Sequence, residues 1–226
     1  MKTSFYKRVF DVVFSSLFLL ILFPFILIIL FVAWLETKQF PIYTQQRGLS
    51  LEKNLFTIFK VRTIKKHSCT SPNEQVFFKP YYADFVPPFC RWLRKTGLDE
   101  LPQLFNILRG DMSFVGPRPF SQEDLEIMKA HFSVVYSVRS NFSIQPGLTG
   151  TWQLYGDRNA GMKNLIHWDN YYVSHSSFFL DTKILFNTIP YIFFALHSDA
   201  IIEKKSSTKF SAILAVSLPW LTSLHG

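Results

Sequence analysis

Two adjacent carboxylates, Asp99 and Glu100, lie in a short stretch of turn residues and cations. The residues after them predict a helix, because apolar residues recur at intervals of three and four, a proline falls in the first turn and a glycine follows the end. These residues are Leu101, Leu104, Phe105 and Leu108, with Pro102 and Gly110. The carboxylates would then lie at the helix N-terminus, where unpaired N–H groups and the helix dipole favour an ionised carboxylate or a bound phosphate. The alternative is that Asp99 only caps the helix.

Cations next to rigid turns accompany the carboxylates. Lys60 and Arg62 come at the end of a predicted strand, where alternation places both on one face, although such a pair could also be a solvated basic edge. Arg118 lies between Pro117 and Pro119, which restrict the backbone and present the guanidinium as a fork for phosphate or carboxylate. Further tight turns are expected at 146–150 and 156–158. The combination indicates a site that handles anions.

Size and charge limit the classes of protein that fit. The chain of 226 residues has room for one domain and a membrane segment, and its net charge of +8 suits an anionic partner. A nucleic-acid partner is not expected, because no reading module is recognisable. The cysteines, Cys69 and Cys90, have no metal-ligand spacing, which argues against a zinc site or a disulfide framework. The common nucleotide-loop and acyl-hydrolase motifs are also missing.

An apolar segment, Val12 to Leu35, predicts a membrane anchor. As a straight helix at about 1.5 Å per residue it would reach roughly 36 Å, which is enough to span a bilayer. However, Pro24 falls near its middle and should kink the helix, and cations flank both ends, so that the positive-inside rule favours the cytoplasm for each. These cations are Lys2, Lys7 and Arg8 before the segment and Lys38, Arg47 and Lys53 after it. We therefore expect residues 1–38 to form a re-entrant helix-break-helix anchor in preference to a spanning helix.

The remaining chain predicts a mainly helical (α+β) domain with a few short strands, over residues 39–200. Phe40 to Thr44 and Leu55 to Val61 are strand-like, joined by a turn at 47–50, and Gln122 to Arg139 is expected to be helical. Aromatic and basic residues mix in 76–92 and 183–197, which is typical of amphipathic helices at the membrane interface and equally of an aromatic core. No role is assigned to the tail, 201–226.

The chain resembles the bacterial sugar transferases, the monotopic polyprenyl-phosphate phosphoglycosyl transferases. The resemblance extends from about Tyr6 to Tyr191 and depends on several motifs that occur in order. These are Lys7-Arg8-Val9-Phe10-Asp11, Lys60-Val61-Arg62-Thr63, Leu98-Asp99-Glu100-Leu101-Pro102-Gln103 with Asn106 and Arg109, Gly110-Asp111-Met112-Ser113, Gly116-Pro117-Arg118-Pro119, Pro146-Gly147-Leu148-Thr149-Gly150 with Trp152 and Gln153, and Asp169-Asn170-Tyr171-Tyr172 with Asp181.

The resemblance implies transfer of a sugar 1-phosphate from a UDP-sugar to undecaprenyl phosphate, with release of UMP. Asp99 would be the nucleophile that carries a covalent phosphosugar, and Glu100 would ligate Mg²⁺, although from sequence alone the two roles could be exchanged. Two departures stand out. The family's Ser-Pro break is Phe23-Pro24 here, which removes the serine hydroxyl, and the shortened Gln45-Gln46-Arg47-Gly48 element leaves the role of Arg47 open.

The candidate substrate-binding residues are selected polar members of these motifs, together with Arg94 and Arg139. They are Lys60, Arg62, Arg94, Gln103, Arg109, Asp111, Ser113, Arg118, Arg139, Thr149, Gln153 and Asp169. The expected location is the bacterial inner membrane, with the catalytic domain on the cytoplasmic face and in contact with lipid, and self-association is left open. The competing hypothesis is a non-catalytic, membrane-tethered binding or scaffold protein for glycan assembly.

Overall fold

The computed structural model describes residues 4–53, 55–65, 85–157 and 160–193. Helices predominate, as predicted. In chain order they are α1 (Phe5–Thr37), α2 (Pro88–Thr96), a 3₁₀ helix (Leu98–Gln103), α3 (Leu104–Arg109), α4 (Gln122–His131), α5 (Ser133–Ser140), α6 (Thr151–Tyr155), α7 (Gly161–His175) and α8 (Phe178–Phe193). The strands are β1 (Ile42–Gly48), β2 (Phe56–Val61), β3 (Ser113–Val115), β4 (Phe120–Ser121) and β5 (Gly147–Thr149). Arg158, the tail 201–226 and most of the aromatic segment 76–92 lie outside the described residues.

Helix α1 is one continuous element of 33 residues, and Pro24 does not interrupt it. The expected helix-break-helix is thus not seen as a break in secondary structure, because a proline removes a single backbone donor and a helix can absorb its ring by bending. Re-entry into a bilayer stays a prediction. The helix ends at Thr37. The next residue, Lys38, has a left-handed backbone (φ 56°), and its N–H donates to the Trp34 carbonyl at 2.8 Å.

One face of α1 packs on the rest of the protein along almost its whole length. Its buried residues recur every three or four positions, or at seven: Asp11, Ser15, Leu19, Ile26, Ile29, Ala33 and Thr37. Leu19 and Ile26 join the main core with Ile58 of β2, while Ile29 and Ala33 join a second cluster. The opposite face exposes large apolar side chains, among them Leu20, Ile21, Phe23, Leu27, Ile28, Phe31 and Trp34.

Two small sheets carry the loops of the site. In the first sheet β1 lies between β2 and β4 and is antiparallel to both, so that Arg47 pairs with Phe56 on one side and Ser121 on the other. The prediction that Arg47 and Gly48 belong to a turn is therefore wrong, because strands on both sides hold them extended. The second sheet pairs β3 with β5 in parallel, Ser113 opposite Gly147.

The single helix expected over Gln122 to Arg139 is divided into α4 and α5. Phe132 leaves the helical region with φ −132° and ψ 49°. Neither glycine nor proline marks this point, so the sequence carried no signal for the break. Helix α4 begins as its composition suggests, with the Ser121 hydroxyl accepting a hydrogen bond from the Asp124 N–H at 3.2 Å.

Candidate active site

The carboxylate pair lies in the 3₁₀ helix that joins α2 to α3. Gly97, with φ 74°, reverses the chain after α2 and occupies the N-cap of the 3₁₀ helix, while Gln103 occupies that of α3. Asp99 is therefore at neither cap, and the capping alternative is not what the structure shows. Asp99 and Glu100 are both buried, with 7% and 6% of their surface exposed.

A small, partly open cleft lies beside Glu100. Its walls come from five parts of the fold: β1, β2, the 3₁₀ helix, β5 and the loop that precedes β4. Together these elements place three cations around one carboxylate. The lining residues are Arg47, Lys60, Glu100, Gln103, Arg118, Pro119, Gly147 and Leu148. The Lys60 ammonium donates to Glu100 Oε1 at 2.5 Å. Such a setting can hold an anionic ligand while keeping a carboxylate in place.

Asp99 is not among the residues that line this cleft. Its carboxylate adds to the negative field at Cys90 of α2. Burial is the main reason that the pKa of the Cys90 thiol rises to about 12, with contributions from Glu36 and then Asp99. The thiol therefore stays protonated, and Cys90 is a packing residue.

Arg47 has a clear place in the site. Its Nη1 donates to the Pro119 carbonyl at 3.3 Å, and its Nε and Nη2 donate to Gln45 Oε1 at 3.2 and 3.1 Å. The sequence left the role of Arg47 open, and these hydrogen bonds give it a structural role next to the cleft. Arg47 joins β1 to the Pro-Arg-Pro run and presents its charge to the cleft.

Asn106 fixes the position of β2, and the sequence interpretation did not count it as a site residue. Its fully buried amide sits beside β2, where Oδ1 accepts from the Phe59 N–H at 3.1 Å and Nδ2 donates to the Thr57 carbonyl at 2.7 Å. The side chain thus makes the backbone hydrogen bonds that a neighbouring strand would otherwise make on this side of β2. Lys60, which lines the cleft, is the residue after Phe59. A polar residue within an otherwise apolar helix was the available signal.

The polar residues at the start of α1 bind inward. Arg8 donates to the carbonyls of Ile107 and Leu108 at 2.6 and 2.7 Å, and so caps the C-terminus of α3. Asp11 Oδ1 accepts from the Ser113 hydroxyl and the Phe114 N–H, at 3.1 and 3.2 Å.

Lys7 also points into the protein. It forms an ion pair with Asp181 of α8 and donates to the hydroxyl of Tyr172 and the carbonyl of Val115. Lys7 and Arg8 were counted among the cations that flank a membrane segment, and the structure assigns both to internal contacts instead. They therefore give no evidence on which side of a membrane the chain begins.

A family model described as "Bacterial sugar transferase" matches residues 2–195 of the chain. The chain belongs to the bacterial sugar transferase family. Relatives include undecaprenyl-phosphate galactose phosphotransferase from Salmonella typhimurium, 34% identical over 82% of this chain and 40% of that protein. The exopolysaccharide production protein ExoY of Sinorhizobium fredii is 33% identical, over 81% of this chain and 84% of that protein. A UDP-glucose:undecaprenyl-phosphate glucose-1-phosphate transferase from Caulobacter vibrioides is 35% identical, over 81% and 68%. The chain thus spans about 40% of the length of the Salmonella relative.

Several residues expected to bind substrate in this sugar transferase do not line the cleft. Arg139 and Asp169 form an ion pair with 0% and 1% exposure, so both are buried away from the cleft, and substrate binding by either stays a prediction. Desolvation lowers the pKa of Arg139 to about 9. This value is still above neutral pH, so the guanidinium stays cationic there. Buried Ser113 is bonded to Asp11, and buried Thr149 to the Thr188 hydroxyl at 2.9 Å.

Four other candidates lie outside the described lining of the cleft. Arg62 was expected beside Lys60, but it donates to the Phe40 carbonyl at 2.9 Å and stacks over a tyrosine ring. Arg94 bonds the Thr63 hydroxyl at 3.0 Å. Arg109 is exposed and pairs with Asp111 at 3.4 Å. The structure thus brings together Lys60, Glu100, Gln103 and Arg118 of the candidate set.

The side chain of Gln153 lies beside Gly150. Both atoms of its side-chain amide are buried and form no hydrogen bond with the described residues. A Cβ on Gly150 would come within 2.8 Å of Oε1 of this amide. Gln153 lies beside Gly150 and is not among the residues that line the cleft.

The carboxylate of the cleft is compatible with a magnesium ion that takes most of its ligands from the substrate phosphates and water. The described residues contain no group of three or more aspartate, glutamate, histidine or cysteine side chains suited to a metal. Mg²⁺ at phosphoryl-transfer sites is commonly held by one or two carboxylates together with phosphate oxygens and water. Glu100 on the cleft wall can supply one such carboxylate.

Proposed function

We propose that this sugar transferase moves a sugar 1-phosphate from a UDP-sugar to undecaprenyl phosphate, releases UMP, and thereby begins exopolysaccharide or related glycan assembly. The names of the relatives from Salmonella and Caulobacter support this choice of acceptor. The observation that carries the proposal is the cleft, where Lys60, Arg47 and Arg118 surround Glu100. Both substrates are anions, and their approach requires concentrated positive charge.

The reaction would proceed in two displacements on one phosphorus atom. The Asp99 carboxylate attacks the phosphorus that carries the sugar, an O–P bond forms, and the bond to UMP breaks. An oxygen of the lipid phosphate then attacks the same phosphorus and frees Asp99. Because the first product leaves before the second substrate reacts, one site can serve a soluble donor and a lipid acceptor in turn.

The residues of the cleft would divide the remaining work. Lys60 and Arg118 neutralise the phosphoryl oxygens, and Arg47 extends the positive surface. Glu100 would hold Mg²⁺, which when bound supplies a Lewis acid for the same oxygens. Gln103, at the end of the 3₁₀ helix, offers an amide to the bound donor.

The contacts of α1 support a location on one face of a membrane. By length and composition α1 is a helix that could cross one. Yet its buried stripe runs from Asp11 to Thr37, roughly 39 Å at about 1.5 Å per residue, which exceeds the hydrocarbon thickness of about 30 Å. Helices α2 and α3 and strands β2 and β3 all pack on α1. A spanning α1 would carry that charged domain into the bilayer, so we propose that α1 is embedded from the cytoplasmic side of the inner membrane, and its exposed apolar face meets lipid.

The test uses purified membranes that contain the full chain. Each of a panel of UDP-sugars is offered with undecaprenyl phosphate, and released UMP is measured. Asp99→Asn should lower UMP release more than about a hundredfold, as expected when a nucleophile is lost. Glu123→Gln, on the exposed surface of α4, is the matched control and should leave the rate unchanged.

Mass spectrometry of a quenched reaction locates the phosphosugar. An adduct on Asp99 supports the assignment, whereas one on Glu100 would exchange the two roles. Release of UDP, or no release of nucleotide with any donor, would rule out the proposed reaction.

A further inference from the structure

All three carbonyls of the Pro117–Pro119 run accept hydrogen bonds. The first accepts from the N–H of Gly147 at 3.0 Å, the second from Nη2 of Arg139 at 2.6 Å, and the third from Nη1 of Arg47 at 3.3 Å. Both prolines have a fixed φ, and Arg118 is restricted to extended conformations because a proline follows it. The backbone that carries the Arg118 guanidinium is therefore held at every peptide plane.

Arg139 differs from the other two donors, because Gly147 and Arg47 line the cleft and Arg139 does not. It comes from α5, is fully buried, and lies over the ring of Phe120 with 4.8 Å to the ring centre. Its guanidinium works as a fork, with Nη1 on Asp169 of α7 and Nη2 on the Arg118 carbonyl. The carboxylate of Asp169 thereby fixes the direction in which Arg139 donates.

We infer that Arg139 is a positioning residue, which acts through the Arg118 backbone to keep the Arg118 guanidinium aimed into the cleft. Asp169 supports Arg139 in this role by neutralising and orienting it. The effect of Arg139 on catalysis depends on the proposed function. Its effect on the rigidity of the Pro-Arg-Pro run does not depend on it.

The test replaces the ion pair without leaving a buried charge. The double variant Arg139→Met with Asp169→Leu substitutes apolar residues of similar size, an exchange that commonly preserves stability, whereas Arg139→Met alone would strand Asp169. The Arg118 carbonyl loses its donor, and we expect UMP release per enzyme to fall about ten- to a hundredfold, the usual range for a misplaced site group. Arg139→Lys, which keeps the charge but not the fork, should give a smaller loss of the same kind.

A double-mutant cycle with Arg118→Ala separates positioning from general damage. If Arg139 acts through Arg118, replacing the pair in the Arg118→Ala background should change the rate less than twofold. An equal fold-loss in both backgrounds would mean that Arg139 acts elsewhere, and the inference would be wrong.

Amide hydrogen exchange over residues 116–121 gives a readout that needs no activity. The pair replacement and Arg139→Lys should both accelerate exchange there at least tenfold, while exchange in β2 stays unchanged. Unaltered exchange in a folded variant would overturn the inference. If the wild-type chain releases no UMP, the proposed function fails, and the exchange experiment still decides whether Arg139 holds the Pro-Arg-Pro run.

Discussion

Asn106→Ala tests how the site is built from the fold, because this amide is the connection between α3 and β2. The change removes the bonds to the Phe59 N–H and the Thr57 carbonyl and leaves both groups without that partner. An orphaned buried group costs about 1–3 kcal/mol, which gives about 2–6 kcal/mol for two. Thr57 and Phe59 are only half-buried, so water can replace part of each bond. We therefore expect a loss at the lower end of that range, about 2–3 kcal/mol.

The loss should be visible in both stability and turnover. For a chain of this size 1 kcal/mol corresponds to about 2–4 °C in Tm, so the midpoint should fall by roughly 4–12 °C. Tryptophan fluorescence of the detergent-purified protein measures it. Lys60 follows Phe59 in β2, and a displaced Lys60 no longer meets Glu100. UMP release, measured well below the midpoint, should then fall about tenfold or more.

A matched variant shows whether the effect belongs to this amide. Asn141→Ala removes a single bond to the Ser137 carbonyl at an exposed position and should change stability by less than about 0.5 kcal/mol. If Asn106→Ala melted within a degree of wild type, the amide would not be what holds β2. A large fall in Tm with normal turnover would show that β2 can loosen without displacing Lys60, and the connection from fold to site would be refuted.

Two further predictions concern close packing and topology. Gly147→Ala should abolish folding of the β3–β5 pair, because its Cβ would lie 2.0 Å from the Gly116 nitrogen. In contrast, a Cβ at Gly161 meets none of the described residues within 4 Å, so Gly161→Ala should cost only about 1–2 kcal/mol for its positive φ. Thermal melts of the two variants compare them, and equal losses would contradict the packing argument. Ser4→Cys and Gln39→Cys, each in a Cys69→Ser background where the remaining Cys90 is buried, should both resist an impermeant maleimide in intact spheroplasts and react after lysis. Labelling of one alone from outside would mean that α1 spans the membrane.

The chemistry of the site could be predicted from the sequence to the extent that it is local. The dyad lies in the first turn of a 3₁₀ helix that continues into α3, and Gly110 ends α3 at φ 97° as expected. Such signals depend on neighbours within one or two turns, so a single sequence contains them. The apolar length of α1 and the general positions of β1 and β2 were accessible for the same reason.

The contacts that assemble the site join residues far apart in the chain, and no local pattern encodes them. Arg8 meets α3 about 100 residues later, and Lys7 meets Asp181 from the other end of the domain. Read locally, both are cations beside an apolar segment. Arg139 was counted among the substrate-binding candidates, and only the packing of α5 on α7 reveals that it is buried against Asp169.

The same long-range contacts suggest why the polar start of α1 is built as it is. Arg8 closes the last turn of α3, and α3 directly continues the 3₁₀ helix that carries Glu100, so α1 and the dyad are joined by one short hydrogen-bonded path. A Cβ on Gly110 would approach Arg8 Nη2 to 3.2 Å, which shows how tightly this junction is packed. Under the proposed function the exposed apolar face of α1 meets the bilayer that holds the lipid substrate, while the donor and the lipid phosphate react in turn at the cleft. A rigid junction therefore fixes the cleft relative to the bilayer, and Arg8→Met should raise the KM for undecaprenyl phosphate more than the KM for the UDP-sugar when UMP release is measured.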